Sequence, residues 1–168
     1  MNIMKILIVE DEIDLLEEYK IFLESNNHDV QLETNGEDGL KTYFANFNLN
    51  SDSVPFDIVI LDYQLSGKNG MQVASEILAK CPKQRILFAS AYVEDTLKES
   101  IKTLKQIVEL LQKPFGLQKL LNVIEDRTTY EELEKLNVDI KSLKELEPTH
   151  AQINTYLDIM KKLHDKLE

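Results

Sequence analysis

The chain has 168 residues, enough for one domain of ordinary size with an appendage and a sizeable apolar core. Its formal net charge of -11, from 19 Lys plus Arg against 30 Asp plus Glu, repels nucleic-acid phosphates and anionic lipid surfaces, which argues against direct nucleic-acid or membrane binding. Cys81 is the only cysteine, so neither an intramolecular disulfide nor a cysteine-based zinc cluster can form, and a reducing cytoplasm is the expected setting.

The first apolar run, Lys5 to Val9 (KILIV), has strand length but is too short for a secretion signal or membrane span. Leu15, Tyr19 and Phe22 then recur at helical spacing. A weakly alternating run at 28–33 (HDVQLE) follows the Asn26-Asn27 turn, and Leu40, Tyr43 and Phe44 mark a second helix after Asn35-Gly36. Residues 45–56 (ANFNLNSDSVPF) are polar and rich in breakers, which predicts a surface loop. The third run, 57–61 (DIVIL), leads through the turn from Gly67 to Gly70 into a helix marked by Met71, Ala74 and Leu78. A fourth run at 85–90 (RILFAS) follows Pro82, and a fifth at 107–112 (IVELLQ) follows a helix marked by Val93, Leu97 and Leu104. Leu117, Leu120 and Ile124 mark the last helix of the series. Strict alternation of apolar strands with helices predicts an α/β fold: a five-stranded parallel sheet with helices on both faces.

The pattern changes at about residue 127. Residues 127–168 carry no strand signal and predict helices at 130–146 and 149–167, separated around Glu147-Pro148. Leu133, Leu136, Ile140 and Leu143 form one apolar stripe; Ile153, Tyr156, Met160, Leu163 and Leu167 form another. This extension carries seven basic and nine acidic residues, so it is no basic DNA-reading arm. The expected division is a domain at 1–126 and a helical extension at 127–168.

An aspartate directly after the third apolar run needs a reason. In an open parallel sheet, ligand chemistry collects outside the carboxyl ends of the strands. Those ends supply Glu10 and Asp11, Asp62, Ser90, and Lys113, provided strands one, three, four and five are neighbours. Clustered carboxylates repel one another and ask for a cation, and all-oxygen ligands suit Mg²⁺, which commonly pairs one or two carboxylates with a phosphate oxygen. A carboxylate can also attack phosphorus to give an acyl phosphate.

Four stretches in this order, ILIVEDE from Ile6, VILDYQLSGKNGM from Val59, FASA from Phe88 and KPF from Lys113, resemble the receiver domain of two-component response regulators over about residues 4–126. The resemblance implies a flavodoxin-like (βα)5 fold and makes Asp62 the phosphoacceptor, supplied by the phosphohistidine of a sensor histidine kinase or phosphotransfer protein. It implies that Asp11 and Asp62 bind Mg²⁺ directly, Glu10 through water, and Gln64 by its backbone carbonyl. Ser90 matches the hydroxyl that moves onto the phosphoryl oxygens, and Lys113 the cation paired with them, with Lys113-Pro114 expected cis. Such a protein catalyses only its own phosphorylation and dephosphorylation.

Some positions depart from the pattern. Ser66 stands where proline is frequent. Leu110 stands where the family usually has an aromatic whose rotamer follows the hydroxyl residue. Tyr92 could partly substitute for it or shield the phosphoryl group, and Gln64 and Tyr92 both fall where the family tunes dephosphorylation. Plainer roles suit other residues: Glu12 is a solvated helix-start acid, Cys81 ends a helix, and His28, His150 and His164 lie outside any phosphotransfer module.

Two functions of different class follow. The first is a phosphorylation-controlled interaction module that forms a homodimer through its C-terminal helices. The second is the receiver end of a longer regulator whose enzymatic or DNA-binding effector lies beyond this chain. A metal-dependent phosphatase would want a second aspartate at Gln64, and a flavin binder would want a phosphate-cradling loop after the first strand.

Overall fold

A computed structural model describes residues 2–91, 108–126, 157–159 and 162. Five strands, β1 (Lys5–Val9), β2 (Asp29–Glu33), β3 (Ile58–Leu61), β4 (Ile86–Ser90) and β5 (Glu109–Gln112), form one parallel sheet in the order β2-β1-β3-β4-β5. The described helices are α1 (Ile13–Ser25), α2 (Gly36–Ala45), α3 (Gly70–Lys80) and α4 (Leu117–Glu125). The helix expected around Val93, Leu97 and Leu104, the tail helix expected at 130–146 and most of the one expected at 149–167 lie outside the described residues.

Successive apolar side chains of a strand point to opposite faces, so runs such as IVIL require cover on both sides. Ile6, Ile8, Ile58 and Ile60 pack with Leu16, Tyr19 and Leu23 of α1 and with Leu120 and Ile124 of α4. Leu7, Val9, Val59 and Leu61 pack with Leu40 and Tyr43 of α2 and with Val73, Ala74 and Ile77 of α3. Each of these larger side chains, fully buried, contributes roughly 1.5–3 kcal/mol. In α1 the buried residues are Leu16, Tyr19 and Leu23; of the expected core positions Tyr19 is buried, while Leu15 and Phe22 are only partly buried beside them.

Local chemistry sets the helix ends. Asn35 caps α2 by accepting from Asp38 N at 2.9 Å. Asn69 and Gln72 form a reciprocal capping box at the start of α3. Asn27, at φ 67°, turns the chain after α1 in the left-handed conformation that asparagine tolerates.

Four strands begin one or two residues later than the apolar pattern suggests, at Asp29, Ile58, Ile86 and Glu109. The polar residues before three of them stitch the amino edge of the sheet instead. Asp57 Oδ2 accepts from Lys5 N at 2.7 Å. Arg85 donates to Glu109 Oε1 at 2.7 Å and to the Ile124 carbonyl at 2.8 Å, closing the end of α4. His28, just before β2, accepts from Met4 N at 3.3 Å and meets Glu125 Oε1 at 3.1 Å, a buried structural role.

Within the tail, Leu157 is buried and Asp158, Ile159 and Lys162 are exposed. Leu157 was not on the expected stripe. No helix among the described residues is long and apolar enough to cross a membrane.

Candidate functional site at the carboxyl edge of the sheet

The strand order makes β1, β3, β4 and β5 neighbours, and the crossovers diverge between β1 and β3, with α1 on one face and α2 on the other. That divergence opens a crevice beyond the carboxyl ends of β1 and β3. Val9 pairs with Leu61, and Asp62 N donates to the Val9 carbonyl at 3.0 Å, so Asp62 leaves the sheet beside Glu10. Lys113 N donates to the Ser90 carbonyl at 2.9 Å, which brings the lysine to the end of β4.

The side chains converge. Lys113 Nζ donates to Glu10 Oε2 at 2.5 Å and to Asp62 Oδ2 at 2.8 Å. The second Glu10 oxygen accepts from Glu12 N at 3.1 Å, and Asp62 Oδ1 accepts from Gln64 N at 3.0 Å. One carboxylate oxygen from each of Glu10, Asp11 and Asp62 lies within 4.8 Å of the others. Glu10 is buried and Asp11 exposed, so the cluster opens to solvent on the Asp11 side. Lys113-Pro114 is cis.

Three carboxylates against one ammonium leave an excess of negative charge, and a pair of like charges at this spacing repels by about 3 kcal/mol at an effective dielectric near 20. Burial pushes the Glu10 carboxyl up to about 7, only partly offset by its hydrogen bond to Lys113. Burial also pulls the Lys113 ammonium down, but its hydrogen bonds to Asp62 and Glu10 outweigh this and leave it above its ordinary value. Lys113 is therefore a fixed cation at neutral pH. Its segment is braced from below: Phe115 stacks on Tyr19 at 5.8 Å, and burial raises the Tyr19 hydroxyl to about 12. The cluster offers carboxylate oxygens and no nitrogen or sulfur ligand, a donor set that fits a hard divalent cation such as Mg²⁺.

Ser90 is the last residue of β4 and is buried on the same edge. The Gln64 side chain is exposed, while its backbone lies at Asp62. Leu110 is half-buried opposite Phe88, on the face covered by α2 and α3. Tyr92 lies outside the described residues. The brace formed by Tyr19 and Phe115 had no signature beyond Tyr19's place on an apolar stripe.

The family model described as the response regulator receiver domain matches residues 6–125. Among curated proteins, the response regulator ArlR of Staphylococcus saprophyticus is 29% identical over 117 residues, covering 70% of this chain and 49% of that protein. The chain thus spans about half the length of that regulator. The chemotaxis protein CheY of Listeria monocytogenes is 27% identical over 128 residues, covering 73% of this chain and 96% of that protein. Among solved structures, a CheY-like receiver from Methanospirillum hungatei superposes with TM-score 0.66 at 19% identity, covering 79% of this chain and 99% of its own. The response regulator TrrA of Thermotoga maritima, solved in complex with Mg(2+)-BeF, matches with TM-score 0.60 at 29% identity, covering 72% and 96%.

Proposed function

Because this chain belongs to the response regulator receiver family, whose members are phosphoacceptor switches of two-component systems, we propose that Asp62 accepts a phosphoryl group from the phosphohistidine of a sensor histidine kinase or phosphotransfer protein. The observation that carries this is the Lys113 ammonium shared between Asp62 and Glu10, with Asp11 completing the acidic cluster. An Asp62 oxygen attacks phosphorus in line as the phosphorus–nitrogen bond breaks, and the electron pair returns to the imidazole of the donor, which takes up a proton. The product is an acyl phosphate on Asp62.

Asp11 and Asp62 would hold Mg²⁺ directly, with Glu10 acting through water and Gln64 through its backbone carbonyl. The bound cation supplies neutralisation of phosphoryl charge. Lys113 exchanges its bond to Asp62 for one to a phosphoryl oxygen, and the Ser90 hydroxyl donates to another. Leu110 cannot follow Ser90 as an aromatic ring would, so Tyr92 is the remaining candidate for that role. Removal of the phosphoryl group by water attack at the same site returns the switch. The direct test is labelling with a small phosphodonor and Mg²⁺, with Asp62→Asn as the negative control.

We divide the chain into a receiver at 1–126 and an extension at 127–168, in keeping with the family match ending at 125. The extension forms the homodimer contact through its two stripes, in a cytoplasmic protein. A second reading, a receiver joined to an effector, draws support from the greater length of the Staphylococcus regulator.

A further inference from the structure

The loop 62–70 carries the chain from Asp62 into α3, and the first turn of α2 grips it from outside. Glu37 Oε1 accepts a hydrogen bond from Lys68 N at 3.1 Å. Gly67 adopts φ 75°, and a Cβ there would lie 2.2 Å from Glu37 Oε2, so the carboxylate closes on the loop where no side chain intervenes. A Cβ on Gly36 would lie 2.1 Å from the Lys68 carbonyl oxygen. The main chain of Lys68 is therefore held at its amide by Glu37 and at its carbonyl against Gly36. At the inner end of the loop, Gln64 N bonds to Asp62 Oδ1, and Gly70 N donates to the Tyr63 carbonyl at 3.0 Å.

We propose that Glu37 is a positioning residue of the acidic site: by holding Lys68 it fixes the 62–70 loop so that the Gln64 backbone is presented to the cation bound by Asp11 and Asp62. This rests on the Mg²⁺ reading above. Glu37 is exposed and lies outside the acidic cluster, so it acts through the loop.

A simpler role would be that of an acid in the first turn of a helix, where it complements the dipole. Glu37→Gln and Glu37→Ala separate the two, because both remove the charge and only glutamine keeps an oxygen that can accept from Lys68 N. Two measurements on the full chain decide it: Mg²⁺ affinity by calorimetry, and amide hydrogen exchange across the loop in chelator. Glu37→Ala should bind Mg²⁺ about threefold to tenfold more weakly than Glu37→Gln and should lose protection at Lys68 and Gln64. Equal affinity and equal exchange in the two variants would overturn the proposal. If the wild type binds no Mg²⁺ while Lys68 exchange still differs between the variants, the metal reading is the part that fails, and the assignment of Glu37 to a metal site falls with it.

Discussion

The Lys113 ammonium donates to the Asp62 carboxylate at 2.8 Å, joining side chains 51 residues apart of which only 13% and 11% is exposed. The same ammonium bonds Glu10, so one cation holds together the ends of β1, β3 and β5.

Removing that cation should be costly. Lys113→Met leaves Glu10 and Asp62 facing each other, and unfolding in urea with chelator should show a loss of about 2–3 kcal/mol, less than for a fully buried pair because water and protons reach the cluster. Mg²⁺ should restore part of the loss. An unchanged stability would mean that Lys113 is not the counter-charge of the site.

Asp11 has the opposite sign of effect. It is exposed and adds to the excess of negative charge, so Asp11→Asn in chelator should raise stability by about 0.5–1 kcal/mol. It should also abolish the stabilisation that Mg²⁺ gives the wild type, which at ten times its Kd is about 1.4 kcal/mol. Thermal unfolding of both proteins with and without Mg²⁺ completes the cycle. A variant still stabilised like the wild type would remove Asp11 from the cation site.

Glu10 gives the metal-free protein a pH dependence. Its folded-state value of about 7 lies above the ordinary 4.5, so the folded state binds more protons between those values than the unfolded state does. Its contribution is therefore greatest below about pH 4.5 and is lost as pH rises through 7. Relative to Glu10→Gln, the wild type in chelator should lose stability between pH 5 and 7.5, as read from urea midpoints. Parallel profiles for the two proteins would show that Glu10 titrates normally.

The apolar runs made the sheet legible, because a strand covered on both faces must be apolar throughout, and the edge residues Glu10, Asp11, Asp62, Ser90 and Lys113 could be placed from the strand ends. Periodicity does not encode which of two adjacent apolar residues lies deeper, hence the exchange of Leu15 and Phe22 for Leu16 and Leu23. Asp57 and Arg85 read as strand starts because their hydrogen bonds to Lys5, Glu109 and α4 are long-range. The bond from Lys68 to Glu37 spans 31 residues and has no local pattern, so Asn35-Gly36 read only as a turn.

The extension should confer self-association. Burying the stripes at Leu133 to Leu143 and Ile153 to Leu167 between two copies would remove side chains worth about 1.5–3 kcal/mol each from water. Sedimentation of the full chain should show a dimer at tens of micromolar, and a chain ending at Asp126 should be monomeric. Monomers in both cases, phosphorylated or not, would rule out dimerisation through the tail.

The decisive measurement is intact-mass analysis after incubation with a small phosphodonor, in Mg²⁺ and in excess chelator, on the wild type and Asp62→Asn. The wild type in Mg²⁺ should gain one phosphoryl group that is lost at alkaline pH, while the chelated protein and Asp62→Asn should gain none. Stoichiometric labelling of Asp62→Asn at the wild-type rate, or equal labelling of the wild type in chelator, would contradict Asp62 as the phosphoacceptor of a Mg²⁺-dependent switch.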